Sequence, residues 1–310
     1  MTTLITGGTG MLGLSLKKFA NIQGREILTP NRSVLDLRDE PSTRLYLAKL
    51  KPKVIIHTAA RVGGISANIA NPLDFLIDNI RIDLNLLTAA SELKIPNLVY
   101  IGSSCMYPKN LSHAMREDEI LTGPLEPTNE SYALAKLIGW KSVKIIANSS
   151  SLAWRTVVLS NLYGPNDHFN PEKSHLLAAI IEKVTVADTL GSPTVEMWGD
   201  GSSRREFTYV DDVSEFIIRS LPRLAEFPVT MNLGAGIDHS VREYYEIVFN
   251  SLGYNGQIRE DLTKPTGMKR KLMDISLAES YGWNPKTSIE SGVQQTIAWY
   301  KQHRNGIASD

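Results

Sequence analysis

Tyr132-Ala133-Leu134-Ala135-Lys136 sets a phenol and an ammonium four positions apart, on one face of a helix. A cation beside a phenol favours the phenolate. Lowering its pKa towards neutrality would let Tyr132 exchange a proton with a substrate oxygen. The same spacing also fits a tyrosine at a helix boundary with an unrelated surface lysine. Upstream, Gly102-Ser103-Ser104-Cys105-Met106-Tyr107-Pro108 directly follows an apolar run at 98–101. A hydroxyl there can hydrogen-bond a substrate carbonyl, and a thiol can serve as acid or base if its pKa falls. Cys105 reads equally as a small buried hydrophobe. His175, in Asn170-Pro171-Glu172-Lys173-Ser174-His175, reads equally as a helix-start residue.

A second kind of chemistry is written at the N-terminus. Thr6-Gly7-Gly8-Thr9-Gly10-Met11-Leu12-Gly13 joins an apolar run to a helical stretch. In that context glycines let the backbone approach a pyrophosphate at the positive end of a helix. Asp36, further along, could address the adenosine part of a dinucleotide. A carboxylate bonded to the ribose favours NAD, whereas a nearby arginine, here Arg32 or Arg38, accommodates a 2′-phosphate.

These groups need a scaffold that gathers them. Short apolar runs at 3–6, 54–57 and 98–101 read as buried parallel strands, with helical stretches at 11–21, 42–51 and 73–93 between them. Ile77, Ile80, Leu84 and Leu87 keep one apolar face over several turns. Such alternation predicts βαβ units with right-handed crossovers, hence an α/β, doubly wound parallel sheet of the Rossmann kind. In such a sheet ligands gather outside the carboxyl ends of the strands. The rhythm continues through a helix at 131–148 and a strand at 154–159. Asn161-Leu162-Tyr163-Gly164-Pro165-Asn166-Asp167 then breaks it with turn formers and suits a domain crossing.

Further elements are expected as a helix at 174–186, a strand at 195–198, a Gly/Ser turn at 199–203 and a helix at 211–221. A strand at 230–233 could return to the main sheet, and helices follow at 241–252 and 289–303. The expected organisation is a dinucleotide-binding domain over 1–163, completed by about 211–236, and a smaller, mixed C-terminal substrate domain over 164–310. The tail at 305–310 is expected to fray.

Composition narrows the function classes. With 42% hydrophobic residues in 310, the chain can bury a large core. Lys plus Arg equals Asp plus Glu, 33 against 33, which disfavours nucleic acid as a partner. One cysteine excludes an intramolecular disulfide, and no Cys/His cluster has the spacing of a metal site. No apolar run approaches the ~20 residues needed to span a bilayer. No basic segment followed by a long apolar stretch opens the chain, so a cytoplasmic protein is expected.

Taken in order, the glycine turn, the serine at a strand end and Tyr–x–x–x–Lys resemble the extended, sugar-nucleotide-modifying branch of the short-chain dehydrogenase/reductase superfamily. Longer blocks narrow the match: Val62-Gly63-Gly64-Ile65, Gly102 to Lys109, and Leu125-Glu126-Pro127-Thr128-Asn129-Glu130-Ser131-Tyr132-Ala133. With Asn161 to Pro165, Ser174-His175, Trp198-Gly199, Arg205-Glu206-Phe207 and Arg270-Lys271-Leu272-Met273-Asp274, they resemble the GDP-L-fucose synthase family over nearly the whole chain.

The resemblance implies an enzyme that takes GDP-4-keto-6-deoxy-D-mannose, inverts carbons 3 and 5, and reduces the 4-keto group with NADPH. By resemblance Ser103 and Tyr132 hold the keto oxygen, and Lys136 tunes Tyr132 and binds the nicotinamide ribose. Cys105 removes the alpha protons, and His175, also near the cofactor, returns them. Gly7, Gly10, Met11 and Gly13 line the pyrophosphate turn. Arg32, Asp36, His57, Ala59, Ala60, Asn161 and Leu162 lie along NADP(H), while Lys183, Trp198, Arg205 and Lys271 meet the GDP-sugar. Some members carry an arginine in the glycine turn where this chain has Thr9, so one cation for the 2′-phosphate is missing. A related GDP-4-keto sugar, such as a 6-deoxy-heptose or colitose precursor, is the alternative substrate. A regulatory or scaffold protein that keeps the fold without turnover is a third reading, against which the full Ser103–Tyr132–Lys136 set argues. A homodimer through the helices at 73–93 and 131–148 is expected.

Overall fold

Runs of β-branched and aliphatic residues form the inner strands, and amphipathic stretches between them form the covering helices. The computed structural model describes residues 2–170, 174–264 and 267–307. Through the first half these elements are β1 (Thr3–Thr6), α1 (Met11–Ile22), β2 (Ile27–Leu28), α2 (Glu40–Leu50), β3 (Val54–His57), α3 (Ile65–Ala70), α4 (Pro72–Glu92), β4 (Asn97–Ser103), α5 (Glu130–Ser149) and β5 (Ala153–Leu159). The second half adds β6 (Asn161–Tyr163), α6 (Leu176–Leu190), β7 (Thr194–Trp198), β8 (Arg204–Arg205), β9 (Phe207–Tyr209), α7 (Val210–Ser220), β10 (Thr230–Leu233) and β11 (His239–Ser240). It ends with α8 (Val241–Leu252), β12 (Gln257–Asp261), β13 (Arg270–Lys271), α9 (Ser276–Ser280) and α10 (Ile289–Ile307).

Six strands form one parallel sheet in the order β10-β5-β4-β3-β1-β2. Alternate residues of a strand face opposite sides. Leu4 and Ile55 therefore join the core under α2, α4 and α5, while Ile5, Val54 and Ile56 join that under α1 and α7. This is the doubly wound arrangement the alternation predicts, and β10 does return to the sheet beside β5. The strand order reverses between β1 and β3, which opens a crevice at their carboxyl ends. A third apolar cluster joins α6, α8 and α10 through Ile181, Tyr244, Tyr245, Val293 and Tyr300.

Some boundaries differ from expectation for tertiary reasons. The turn-rich segment at 161–167 begins as β6, because its backbone pairs in parallel with β9. β4 runs to Ser103, two residues past the apolar run, because it pairs with β5 through Leu159. Helix α10 continues to Ile307, and the rest of the expected frayed tail, 308–310, lies outside the described residues. So do Pro171, Glu172 and Lys173 of the segment leading to His175.

The glycine turn shows which of its members the fold itself requires. Gly7 has φ +69°, and a Cβ there would lie 2.8 Å from Ala59 Cα. A Cβ on Gly13 would lie 2.3 Å from the Gly7 carbonyl oxygen. At Gly10 the nearest atom is 3.6 Å away and φ is −81°. Gly13→Ala is therefore expected to cost about 1–3 kcal/mol of stability through overpacking. Gly10→Ala should cost only the lost helix cap, about 1 kcal/mol or less. Thermal denaturation of the two variants checks the difference; equal losses would contradict it.

Candidate active site

The turn at 7–13 delivers the start of α1 into the crevice. Gly10 caps α1 with no side-chain hydrogen bond, and the first turn carries no acidic residue. The leading backbone N–H groups, Met11 among them, are left for a ligand, and the helix end is positive. A positive helix end with no side-chain cap suits an anion such as a pyrophosphate. Ala59 backs the turn, its N–H donating to Thr6 Oγ1 at 3.5 Å, and Ala60 follows in the same loop after β3.

Beyond β2, Asp36 is not a free carboxylate. Arg38 donates to it from Nε at 3.0 Å and from Nη2 at 2.6 Å, and exposed Arg32 reaches it at 3.3 Å. Of the two options open in the sequence, a carboxylate for a ribose or arginines for a phosphate, the geometry favours the arginines.

His57 departs from the expectation of a residue lying along the cofactor, because its imidazole is fully buried with both nitrogens engaged. Nε2 lies 3.0 Å from Asp83 Oδ1, and Nδ1 lies 2.7 Å from Thr6 Oγ1. A carboxylate only accepts, so Nε2 carries the hydrogen and Nδ1 accepts from Thr6. Burial lowers the His57 pKa despite Asp83, so the ring is neutral near pH 7. Asn161 likewise spends its amide on the Glu206 carbonyl at 2.9 Å, with Leu162 beside it in β6.

Ser103 ends β4, and its Oγ accepts the Cys105 N–H at 3.4 Å. This single turn of 3-10 helix holds the buried Cys105 at the sheet edge. Burial pushes the thiol pKa up, and Lys271, Ser103 and Lys136 pull against it. Tyr132 and Lys136 occupy successive turns of α5, as their spacing predicts. The expected fall in the Tyr132 pKa does not occur. Burial, with Cys105 and Asp83 as negative neighbours, drives it well above its ordinary value. The Lys136 ammonium faces Asp83 Oδ2 at 3.8 Å and the Tyr100 ring at 4.7 Å. The phenol is thus kept protonated and suited to donate.

The second half supplies the other wall. His175 is the N-cap residue of α6 and is exposed to solvent. Surrounding protein, His168 and Lys271 all lower its pKa. Parallel β8 and β13 place Lys271 directly opposite Arg205. Lys271 thereby couples electrostatically to both Cys105 and His175. Above this floor the loop at 62–65 brings Gly64 close to Ser174, where a Cβ would lie 3.1 Å from the carbonyl oxygen. Buried Glu206 anchors the floor by accepting the N–H of Gly236 at 2.7 Å and of Met273 at 2.8 Å. Exposed Trp198 sits at the end of β7 with Lys183 and Lys264 each 5.4 Å from its ring.

Ser103, Cys105, Tyr132, Lys136, His175 and Lys271 are thus brought together. Lys183 and Trp198 form a separate pair, with Lys264 added. Sequence reading missed Thr6, Asp83, Tyr100 and Lys264. The signal for Asp83 is its place on the buried stripe of α4 with Phe75, Asn79 and Leu86. A charged residue there must have a partner. Among the described residues no cluster could hold a metal ion.

Known proteins share this sequence and fold. Residues 3–234 match the NAD dependent epimerase/dehydratase family. A GDP-L-fucose synthase of Azorhizobium caulinodans is 43% identical over 96% of this chain and 95% of its own. A GDP-L-colitose synthase of Yersinia pseudotuberculosis is 41% identical over 98% and 99%. A GDP-mannoheptose C4 reductase from Campylobacter jejuni, solved with NADP bound, superposes with a TM-score of 0.88 at 28% identity, covering 97% of this chain and 98% of its own. The match spans the sheet, the glycine turn and the Tyr132–Lys136 helix, and the chain belongs to the NAD dependent epimerase/dehydratase family.

Proposed function

We propose that the chain is a bifunctional GDP-4-keto-6-deoxy-D-mannose 3,5-epimerase and 4-ketoreductase that forms GDP-L-fucose. The observation that carries the reading is the convergence of Cys105 and His175 on Lys271, beside Ser103, Tyr132 and Lys136. A reductase alone has no use for the thiol and the imidazole.

The glycine turn, with Arg32 and Arg38 for a 2′-phosphate, would hold NADPH, which would supply the hydride for C4. Ser103 and Tyr132 hold the 4-keto oxygen, which makes the protons on carbons 3 and 5 removable by stabilising the enolate. At each carbon in turn Cys105 as thiolate takes the proton and His175 as imidazolium delivers one to the opposite face, and proton exchange with water restores both groups between the two inversions. Lys271 favours the thiolate electrostatically, while Arg205 beside it addresses the diphosphate. Tyr132 then gives its proton to the C4 alkoxide. Lys136 binds the nicotinamide ribose, and Lys183 and Trp198 meet the nucleotide part of the substrate.

This reading assigns residues 1–163, with about 211–236, to the cofactor and 164–310 mainly to the sugar nucleotide. It also includes a homodimer in the cytoplasm. Exposed Leu73 and Ile77 on α4, with Leu134, Ile138 and Ile145 on α5, support that dimer face. A related GDP-4-keto sugar is the second reading, favoured by the 41% identity to the GDP-L-colitose synthase. NMR of the product from each candidate sugar with NADPH or NADH separates the two.

Without reduced cofactor, incubation in heavy water is expected to place deuterium on both carbons flanking the ketone; no incorporation would leave a simple reductase. Burial raises the Cys105 pKa and lowers that of His175, so thiolate grows as imidazolium declines, and exchange that needs both should change little between about pH 7 and 8. Cys105→Ser should lower exchange by about 10²-fold or more while NADPH still binds. Normal epimerisation in that variant removes the thiol from the scheme. Tyr132→Phe should slow hydride transfer by about 10²–10⁴-fold, measured as NADPH oxidation in a single turnover. An unchanged rate there contradicts the donor role.

A further inference from the structure

The hydrogen bonds of His57, Asp83 and Tyr100 are not used by the steps above, yet all three side chains are fully buried behind Lys136. We propose that Asp83 is a positioning residue for the reductase lysine: a fixed carboxylate, clamped by His57 and Tyr100, that holds the Lys136 ammonium at its working place. The proposal deepens the reading of Lys136 given above and rests on it.

Four elements meet at this point. Asp83 comes from α4, His57 from β3, Tyr100 from β4 and Lys136 from α5. Asp83 Oδ1 accepts from His57 Nε2 at 3.0 Å, and Oδ2 accepts from the Tyr100 hydroxyl at 2.5 Å. That leaves Oδ2 facing Lys136 Nζ at 3.8 Å, too long for a direct hydrogen bond but close enough for strong attraction in a buried site. The Tyr100 ring supports the same ammonium from its face at 4.7 Å. Tyr132 and Cys105 are the remaining titratable groups near it.

An independent feature shows that the space is reserved. Gly139 lies one turn beyond Lys136, and a Cβ there would sit 2.2 Å from the Tyr100 hydroxyl oxygen and 2.8 Å from Asp83 Oδ2. A glycine in a helix interior is normally a poor choice. Here it lets α5 close onto the clamp. The relay also reaches the cofactor crevice, because His57 Nδ1 is held by Thr6, whose hydroxyl oxygen accepts the Ala59 N–H behind the glycine turn.

Charge sets the expected behaviour. Burial opposes the Asp83 carboxylate, but Lys136, His57 and Tyr100 outweigh it and hold its pKa below the ordinary value. Asp83→Asn removes the counter-ion, which disfavours a charge at the buried Lys136 position. It also removes one of the negative charges that keep Tyr132 protonated. Both effects move the alkaline limb of hydride transfer to lower pH. Tyr100→Phe keeps the carboxylate but frees Oδ2 to bond the ammonium directly, which moves the limb the other way.

The test is the pH profile of single-turnover NADPH oxidation on the GDP-4-keto sugar, alongside the pH dependence of NADPH affinity by fluorescence titration. The expected result for Asp83→Asn is an alkaline limb lower by about one pH unit or more, with the sugar KM within about twofold of wild type. Tyr100→Phe is expected to shift the limb upward. A wild-type limb in Asp83→Asn, or the same displacement in both variants, overturns the proposal even if thermal stability falls. If Asp83→Asn does not fold, Tyr100→Phe decides alone: an upward shift supports the clamp, and no shift or a downward one overturns it. Wild-type enzyme inactive on every GDP-4-keto sugar would instead defeat the functional reading, while the affinity titration would still report on the clamp.

Discussion

A charge that leaves water must find its partner inside the protein. The carboxylate of Asp83 and the ammonium of Lys136 are both buried, and breaking such a pair by losing one member typically costs about 3–5 kcal/mol. Their partners come from two strands and two helices, so satisfying them constrains α4 and α5 against β3 and β4. The same constraint fixes where Tyr132 stands, one turn before Lys136 on the same helix.

The parallel sheet does the rest of the gathering. Every strand of the six delivers its carboxyl end to one edge, so the Gly7–Gly13 turn, the loop after His57 and the Ser103–Cys105 turn become neighbours without being close in sequence. The opposite wall is built by very short strands. Two-residue pairings of β8 with β11 and β13 are weak as sheet, but they set Arg205 beside Lys271. Buried Glu206 strengthens this corner by accepting backbone N–H groups from Gly236 and Met273.

The electrostatics of the site differ from a simple picture of activated residues. Cys105 and Tyr132 are both held towards their protonated forms by burial. For Tyr132 this suits a proton donor. For Cys105 it means that the thiolate depends on the nearby cations Lys271 and Lys136 and is a minor species near neutral pH. His175, lowered by its surroundings and by positive neighbours, is poised to release a proton once it carries one.

Local patterns in the chain were enough for the alternating strands and helices, the glycine turn, the Tyr132–Lys136 spacing and the return of β10, because each depends on periodicity or on neighbours a few residues away. Charge balance and the single cysteine were legible for the same reason: they are counts. The direction of the Tyr132 pKa was not legible. It is set by burial that no local window reports, then by Cys105 and by Asp83, nearly fifty residues earlier. Nor were the inward turn of His57, the capture of Asp36 by Arg38, and the conversion of the 161–163 turn formers into strand β6. Each of those depends on which partner the fold brings within hydrogen-bonding reach, and only the packed tertiary structure determines that distance.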